Sequence, residues 1–413
     1  MALVRIIILV VFSSFCNIIL AQSVISGKIT DHETGEIIIG ANVYINNTTI
    51  GSPSNKDGQF SISNVPIGKQ ELVISFVGYE TISYSFSSTQ LPLKIDFKLK
   101  PNSKQLNEIV IKGGYKVVSN DPYYWNTFLR TFIGKTPFSD RCVIKNREDI
   151  ELRLYERKGE VPVLNAVAKN PIIIVNQALG YVITYDLQFY EAKGFNRKFF
   201  GKAYFTELEH KQLSHSKIKL REAAYYGSIT HFLRSLFHNT LEIEGFEVNS
   251  ILRDLNPDKK RYLKLLDSEK IGDNKLRNFI INKDNSLFGD SSSHIRAVIL
   301  KPDTDIISKD IVRVESLKST DKNGQVILSS KDSLFSVIYK KPLANVIDRF
   351  SRNFRTRDGY VKSVFKLKSN VAYVVNPTVN SVNAGIGLEG FFSDFYNLST
   401  MLPENFEPRK PKN

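Results

Sequence analysis

The chain has 413 residues, 42% of them hydrophobic and 11% aromatic, with a formal charge of +14 and only two cysteines. This is apolar material for two or three domains at ~100–200 residues each, which excludes a disordered chain and a disulfide-stapled miniature. A basic excess would suit nucleic acid in a cytoplasmic protein, but the first residues predict export, which directs the charge towards anionic lipids, acidic glycans or an acidic protein instead.

Residues 1–21 read as a signal peptide. Arg5 precedes an apolar stretch from Ile6 to Leu20, and the small Ala21 predicts cleavage after it. The stretch falls short of the ~20 residues that span a bilayer. Cys16 leaves with this segment, so the mature chain keeps Cys142 alone and has no intramolecular disulfide. Residues 22–112 hold eight Lys against eight Asp or Glu, which places nearly the whole positive surplus further along the chain.

From 22 to 100 the chain predicts short strands divided by turn residues. Val24–Thr30 alternates in a half-buried β pattern, and Gly35 suits the turn that follows. Ile37–Ile45 is a second apolar run. Asp57-Gly58, followed by alternating Phe60 and Ile62, is a hairpin signature. Pro66 and Gly68 punctuate the next connection before Glu71–Glu80 and Leu93–Lys100. Such spacing predicts an antiparallel β-sandwich. Asp57 is read as a turn former and not as a calcium ligand, because no second acidic residue stands at ligand spacing.

The succession Gly27-Lys-Ile-Thr-Asp31, Thr34-Gly35, Gly40-Ala-Asn-Val43, Asn55-Lys-Asp-Gly-Gln-Phe60, Val65-Pro-Ile-Gly68 and Phe76-Val-Gly-Tyr79 resembles the carboxypeptidase regulatory-like family. The resemblance implies a transthyretin-like, seven-stranded sandwich. The same module precedes the plug of many TonB-dependent transporters, and Leu106–Gly114 is similar to the short segment after it there. Its plain reading is a last strand and linker, over 101–120. A transporter would need a plug and a 22-strand barrel within the 299 residues after Gly114. At roughly 10 residues per strand the strands alone would use most of them, leaving too few for plug and loops.

A metallocarboxypeptidase would need His and Glu at zinc-ligand spacing. No His of the mature chain has Glu three residues later, and HExxH, GxSxG and Walker motifs are absent. Gly385-Ile-Gly-Leu-Glu-Gly390 matches a dinucleotide fingerprint by offset only, without a βαβ context. The sequence implies no metal, cofactor or catalytic residue. Asp254/Asp258 and Asp303/Asp305/Asp310 read as solvated turns.

The region 121–413 is predicted to be a β-rich α+β fold. Asp121-Pro122 opens a helix, with Tyr124, Phe128 and Phe132 at spacing four and Gly134 closing it. Strands follow at Arg141–Asn146, Ile150–Glu156, Pro162–Lys169, two runs around Leu179-Gly180, and Lys202–Leu208. Lys217–Leu241 predicts one long helix. At 100° per residue it places Arg221, Tyr225, Ser228 and His231 on one face. That face could be a polar binding surface or a His-centred acid/base group. The preferred reading is structural, with these groups hydrogen-bonding the strands beneath. Beyond Gly245, strands are predicted at Arg261–Ser268, Lys275–Asn282, His294–Pro302, Asp310–Ser316, Gly324–Ser330 and Asp332–Lys341. The basic–aromatic stretch Arg349–Lys368 reads as an amphipathic strand pair rather than a polyanion site.

These patterns, with Leu402–Phe406, are similar across nearly the whole chain to exported proteins that bear the regulatory-like domain. The expected function is a non-enzymatic binding or scaffold protein of the bacterial envelope, periplasmic or outer-membrane associated. Its partner would be an envelope protein or an anionic glycan or lipid, and not a nucleic acid. The alternatives are an envelope hydrolase acting on peptide or glycan through His231, and an accessory to a TonB-dependent transporter.

Overall fold

The computed structural model describes residues 24–101, 114–156, 161–194, 196–209, 213–254, 257–268, 279–280, 283–300, 304–320, 326–328, 330, 334–367, 373–374 and 386–409. The expected signal peptide, the 106–113 segment and the start of the expected Gly324–Ser330 strand lie outside them. The described residues form two compact units, the first of 24–101, 202–206 and 403–405, the second of the remainder.

The first unit is a sandwich of two four-stranded sheets. Its strands are Ile25–Asp31 (β1), Asn42–Ile45 (β2), Gly51–Pro53 (β3), Gln59–Ile62 (β4), Lys69–Ser75 (β5), Ile82–Ser87 (β6), Leu93–Lys94 (β7) and Phe97–Leu99 (β8). One sheet runs β3-β2-β5-β6; the other runs β4-β1-β7, with β8 also paired to β1. The family resemblance implied seven strands, and the eighth is an interruption. β7 pairs with Ile25 and Ser26, then β8 pairs in the same parallel sense with Ile29 to Asp31. Between them the Asp96 carboxylate takes the Lys28 N–H, and a Cβ on Gly27 would lie 1.8 Å from the Ile95 carbonyl oxygen. Glycine at 27 therefore lets the last strand cross close to the first.

Period-two alternation builds the core. On β4, Phe60 and Ile62 are buried while Gln59 and Ser61 are exposed. They meet Ile25, Ile29, Val43, Leu72, Ile74 and Leu99 from both sheets. Each such side chain contributes roughly 1.5–3 kcal/mol by leaving water.

The second unit begins with Lys116–Val117 (β9) and Pro122–Phe132 (α1). The Asp121 side chain accepts the Tyr123 N–H at 2.8 Å, and Pro122 takes the first turn, as the sequence predicts. The next strands are Cys142–Ile144 (β10), Ile150–Tyr155 (β11), Val163–Ala168 (β12), Ile172–Asn176 (β13), Tyr181–Lys193 (β14) and Asn196–Glu207 (β15). They form a sheet ordered β10-β13-β14-β12-β11-β9, with β15 paired to β14. Phe128 and Phe132 of α1 pack on Tyr190 and Tyr185 of β14, with centroids 5.0 and 5.2 Å apart.

Then come His215–Tyr225 (α2), Ile229–His238 (α3), Phe246–Asp254 (β16), Pro257–Ser268 (α4), Ser292–Leu300 (α5), Thr304–Ile311 (β17), Lys318–Thr320 (β18), Val326–Leu328 (β19), Leu334–Tyr339 (β20), Asn345–Ser351 (α6), Val361–Leu367 (β21), Tyr373–Val374 (β22), Ile386–Gly390 (β23) and Phe391–Phe395 (α7). A second sheet is ordered β17-β16-β20-β21-β23, and a small third one β18-β19-β22. Phe232 of α3 packs against Phe246, Phe365 and Phe392 over the second sheet.

Five expectations are corrected. The expected strand Asp310–Ser316 is the end of β17 followed by a short helix at Val314–Leu317. Asp254, Asp305 and Asp310 lie on β16 and β17, and Asp258 in the first turn of α4, not in solvated turns. The long helix over 217–241 is two helices, α2 and α3, because Gly227 adopts φ +76° and Ser228 caps a new start. Arg261–Ser268 and His294–Leu300 are helical, not extended. Leu266, Ile295 and Ile299 pack together with Tyr262, Leu263 and Phe279, a helical period in place of alternation. The basic–aromatic stretch is α6, a 3₁₀ turn at Arg352–Phe354 and then β21, with Phe350 and Phe354 turned onto Phe391.

Candidate functional site

The break at Gly227 divides the expected polar face. Arg221 and Tyr225 lie on α2, Ser228 is the α3 cap, and His231 lies in the first turn of α3. The fold draws Tyr225, Ser228 and His231 together and sends Arg221 elsewhere.

Arg221 is 5% exposed. Its Nε donates to the Leu179 carbonyl at 2.7 Å, and Nη1 and Nη2 reach the two Glu207 carboxylate oxygens at 3.1 and 2.7 Å. The guanidinium also stacks 3.7 Å above the Tyr181 ring. A planar fork that meets a carboxylate two-to-two, a carbonyl and a ring face is fully engaged. It fastens α2 over the Leu179-Gly180 turn.

His231 is 2% exposed and boxed by Tyr225, Tyr226, Phe246 and Tyr339, with ring centroids 4.8 to 5.8 Å away. The Gly227 N–H donates to Nδ1 at 3.1 Å, so the ring proton resides on Nε2, which donates to Glu244 Oε2 at 3.1 Å. Lys341 Nζ stands 3.8 Å from the same carboxylate. Burial among apolar rings outweighs the Glu244 contact and holds the imidazole pKa down to about 4. Burial likewise raises the Tyr225 and Tyr339 phenols. Ser228 Oγ accepts the His231 N–H at 3.2 Å, an N-cap contact.

A histidine oriented by a carboxylate is half of an acid/base relay, but the relay needs the other nitrogen's lone pair aimed at substrate. Here the Gly227 N–H fills it. Ser228, with Ala224, Ile229, Phe392, Tyr396 and Leu402, borders a cavity of about 20 Å³, room for about one water. His231 is not among its walls.

In the sandwich, the turn residues singled out in the sequence adopt special geometry. Asp31 Oδ1 accepts the Glu33 and Thr34 N–H groups, and the Tyr79 hydroxyl donates to Oδ2 at 2.7 Å. The Thr34 backbone bond first, then Tyr79, lowers the Asp31 pKa. Asn55 Oδ1 accepts the N–H groups of Asp57 and Gln59, while Gly58 takes φ +72°. Residues 25–111 match the CarboxypepD_reg-like domain.

Two curated relatives share sequence with the chain. A TonB-dependent receptor P39 from Formosa agariphila is 38% identical over 108 residues, 26% of this chain and 10% of that receptor. A TonB-dependent receptor SusC from Bacteroides thetaiotaomicron is 34% identical over 105 residues, 24% of this chain and 9% of that receptor. The chain thus spans about a tenth of the length of these relatives. A solved protein of unknown function from Bacteroides fragilis aligns over 86% of this chain and 93% of its own, at 11% identity and a TM-score of 0.16. That score carries no argument.

One cluster in the unit that holds the CarboxypepD_reg-like domain was not foreseen. Asn46, Asn47, Thr48 and Thr49 receive two remote segments. Asn46 Oδ1 accepts the Ala203 N–H, the Asn47 N–H donates to the Ala203 carbonyl, and the Thr48 carbonyl accepts the Phe205 N–H. The Glu404 N–H donates to the Asn47 carbonyl, and Asn405 bonds Thr49 twice. Tyr204 stacks on Tyr44 at 4.9 Å. The sequence signal was an Asn-Asn-Thr-Thr run, which reads as an ordinary turn.

Proposed function

We propose that this is an envelope-associated binding or scaffold protein without catalytic chemistry at its polar helix pair, bearing a CarboxypepD_reg-like domain for assembly with envelope components. The observation that carries this reading is the state of His231. Both ring nitrogens are engaged by groups of the same unit, four aromatic rings enclose it, and the small cavity beside Ser228 does not reach it. The TonB-dependent receptors among the relatives support an outer-envelope setting. No helix among the described residues is long and apolar enough to cross a membrane.

A second reading, accessory to a TonB-dependent transporter, is favoured by the same relatives. One experiment addresses both. In the producing bacterium, the full chain should co-fractionate with the envelope and cross-link to envelope proteins. The purified protein should release nothing from peptidoglycan fragments or envelope peptides. Hydrolysis that disappears in His231→Ala while its melting temperature stays at the wild-type value would overturn the non-catalytic reading. A cross-linked TonB-dependent receptor would select the accessory role.

A further inference from the structure

We infer that the outer face formed by Phe189 and Lys193 of β14 with Lys198 and Phe200 of β15 is a docking surface for an anionic lipid bilayer. On β15, Phe199 turns inward, with its ring 5.2 Å from Phe132 and 6.3 Å from Tyr185. Strand alternation then sends Lys198 and Phe200 to the opposite face. On β14, Tyr190 and Ala192 are buried, so Phe189, Glu191 and Lys193 share that outer face. There the Phe189 and Phe200 rings stack at 5.1 Å and 14°, and Phe200 is 58% exposed. Lys193 and Lys198 are both exposed there, and Glu191 is the one acidic residue within 189–200.

The two features together choose the occupant. A soluble polyanion would meet the cations and leave the Phe200 ring in water. A bilayer interface accommodates both, with aromatic rings at headgroup depth and lysine stems extended along the apolar surface towards phosphates. The surplus of positive charge beyond residue 112 favours the same sign of partner. This inference deepens the envelope reading and rests on it only for where such a bilayer is met; vesicle binding tests the surface without regard to location.

The test is co-sedimentation of the full chain with phosphatidylcholine vesicles, with and without phosphatidylglycerol. Binding is expected only with phosphatidylglycerol and should weaken as salt rises. Lys193→Gln with Lys198→Gln should weaken it at least about tenfold at an unchanged melting temperature, and Phe200→Ser should also weaken it. Phe200→Trp should keep binding and blue-shift its emission on vesicles, above the constant Trp125 signal. Absence of binding, equal binding to phosphatidylcholine alone, or variants that melt and bind like wild type would each overturn the proposal. So would binding to inorganic polyphosphate as tight as to vesicles and indifferent to Phe200→Ser, which would assign the cations to a soluble anion.

Discussion

A histidine enclosed by four aromatic rings is an expensive side chain to keep charged, and His231 is therefore neutral in the folded protein. Its pKa falls from the ordinary 6.5 to about 4. Between those values the unfolded chain binds the proton more readily, so stability rises with pH across that window. The contribution is fully present above about pH 6.5 and is lost as pH falls towards 4, at most about 3 kcal/mol for this single group. The groups facing the ring are Gly227, Tyr225 and Tyr226, then Glu244, Phe246 and Tyr339, with Lys341 and Arg234 adding positive charge that opposes protonation. His231→Gln removes the titration. Thermal melts from pH 7 to 4 should therefore fall less steeply for the variant than for wild type. Parallel slopes would mean that the buried imidazole is not what acid attacks.

At the scale of elements, the instructive position is the joint between α2 and α3. Tyr226-Gly227-Ser228-Ile229 contains a helix stop and a helix start side by side: a glycine able to take positive φ, then a serine cap. That signal was legible, but the apolar repeat running through it from Leu220 to Phe237 suggested one continuous helix. A Cβ on Gly227 would meet Leu343 at 2.9 Å and the Tyr339 ring at 3.0 Å, in a backbone conformation that L side chains adopt with strain. Gly227→Ala should lower stability by about 1–3 kcal/mol, measured as a shifted denaturant midpoint at constant slope. A neutral result would show that the joint can straighten. The misread helices α4 and α5 have a different cause. Tyr-Leu-x-x-Leu at 262–266 and Ile-x-x-Val-Ile at 295–299 are too short and too flanked by Lys and Asp for their period to stand out. α1, in contrast, carried its cap, its proline and its stripe of Phe together.

At the scale of the molecule, the sandwich was legible because its turns need particular residues: Gly58 for positive φ, Asp31 and Asn55 for side-chain bonds to nearby N–H groups. The surroundings of His231 were not. Glu244, Phe246 and Tyr339 come from other elements, and no local pattern marks which residues a helix will meet. Nor did any pattern announce that residues 202–206 and 403–405 complete the first unit. Tyr204→Ala in the full chain should speed hydrogen exchange of the β2 amides about 30-fold, equivalent to about 2 kcal/mol of lost ring burial and stacking. Unchanged exchange would mean that the sandwich is complete within residues 24–101.

That completion has a consequence in time. Chains are made from the N-terminus, so β1 to β8 are available to pair long before the ribosome has reached residue 202, and longer still before residue 405. Until then Tyr44 and the carbonyls of Asn47 and Thr48 face solvent, and the first part of the chain to be made is among the last to be finished. A product truncated before Pro403 would keep the sandwich and the 202–206 contacts but lose the bonds from Glu404 and Asn405 to Asn47 and Thr49. The Asn47–Thr49 loop is thus completed in two steps, the first as residues 202–206 emerge and the second as residues 403–405 follow.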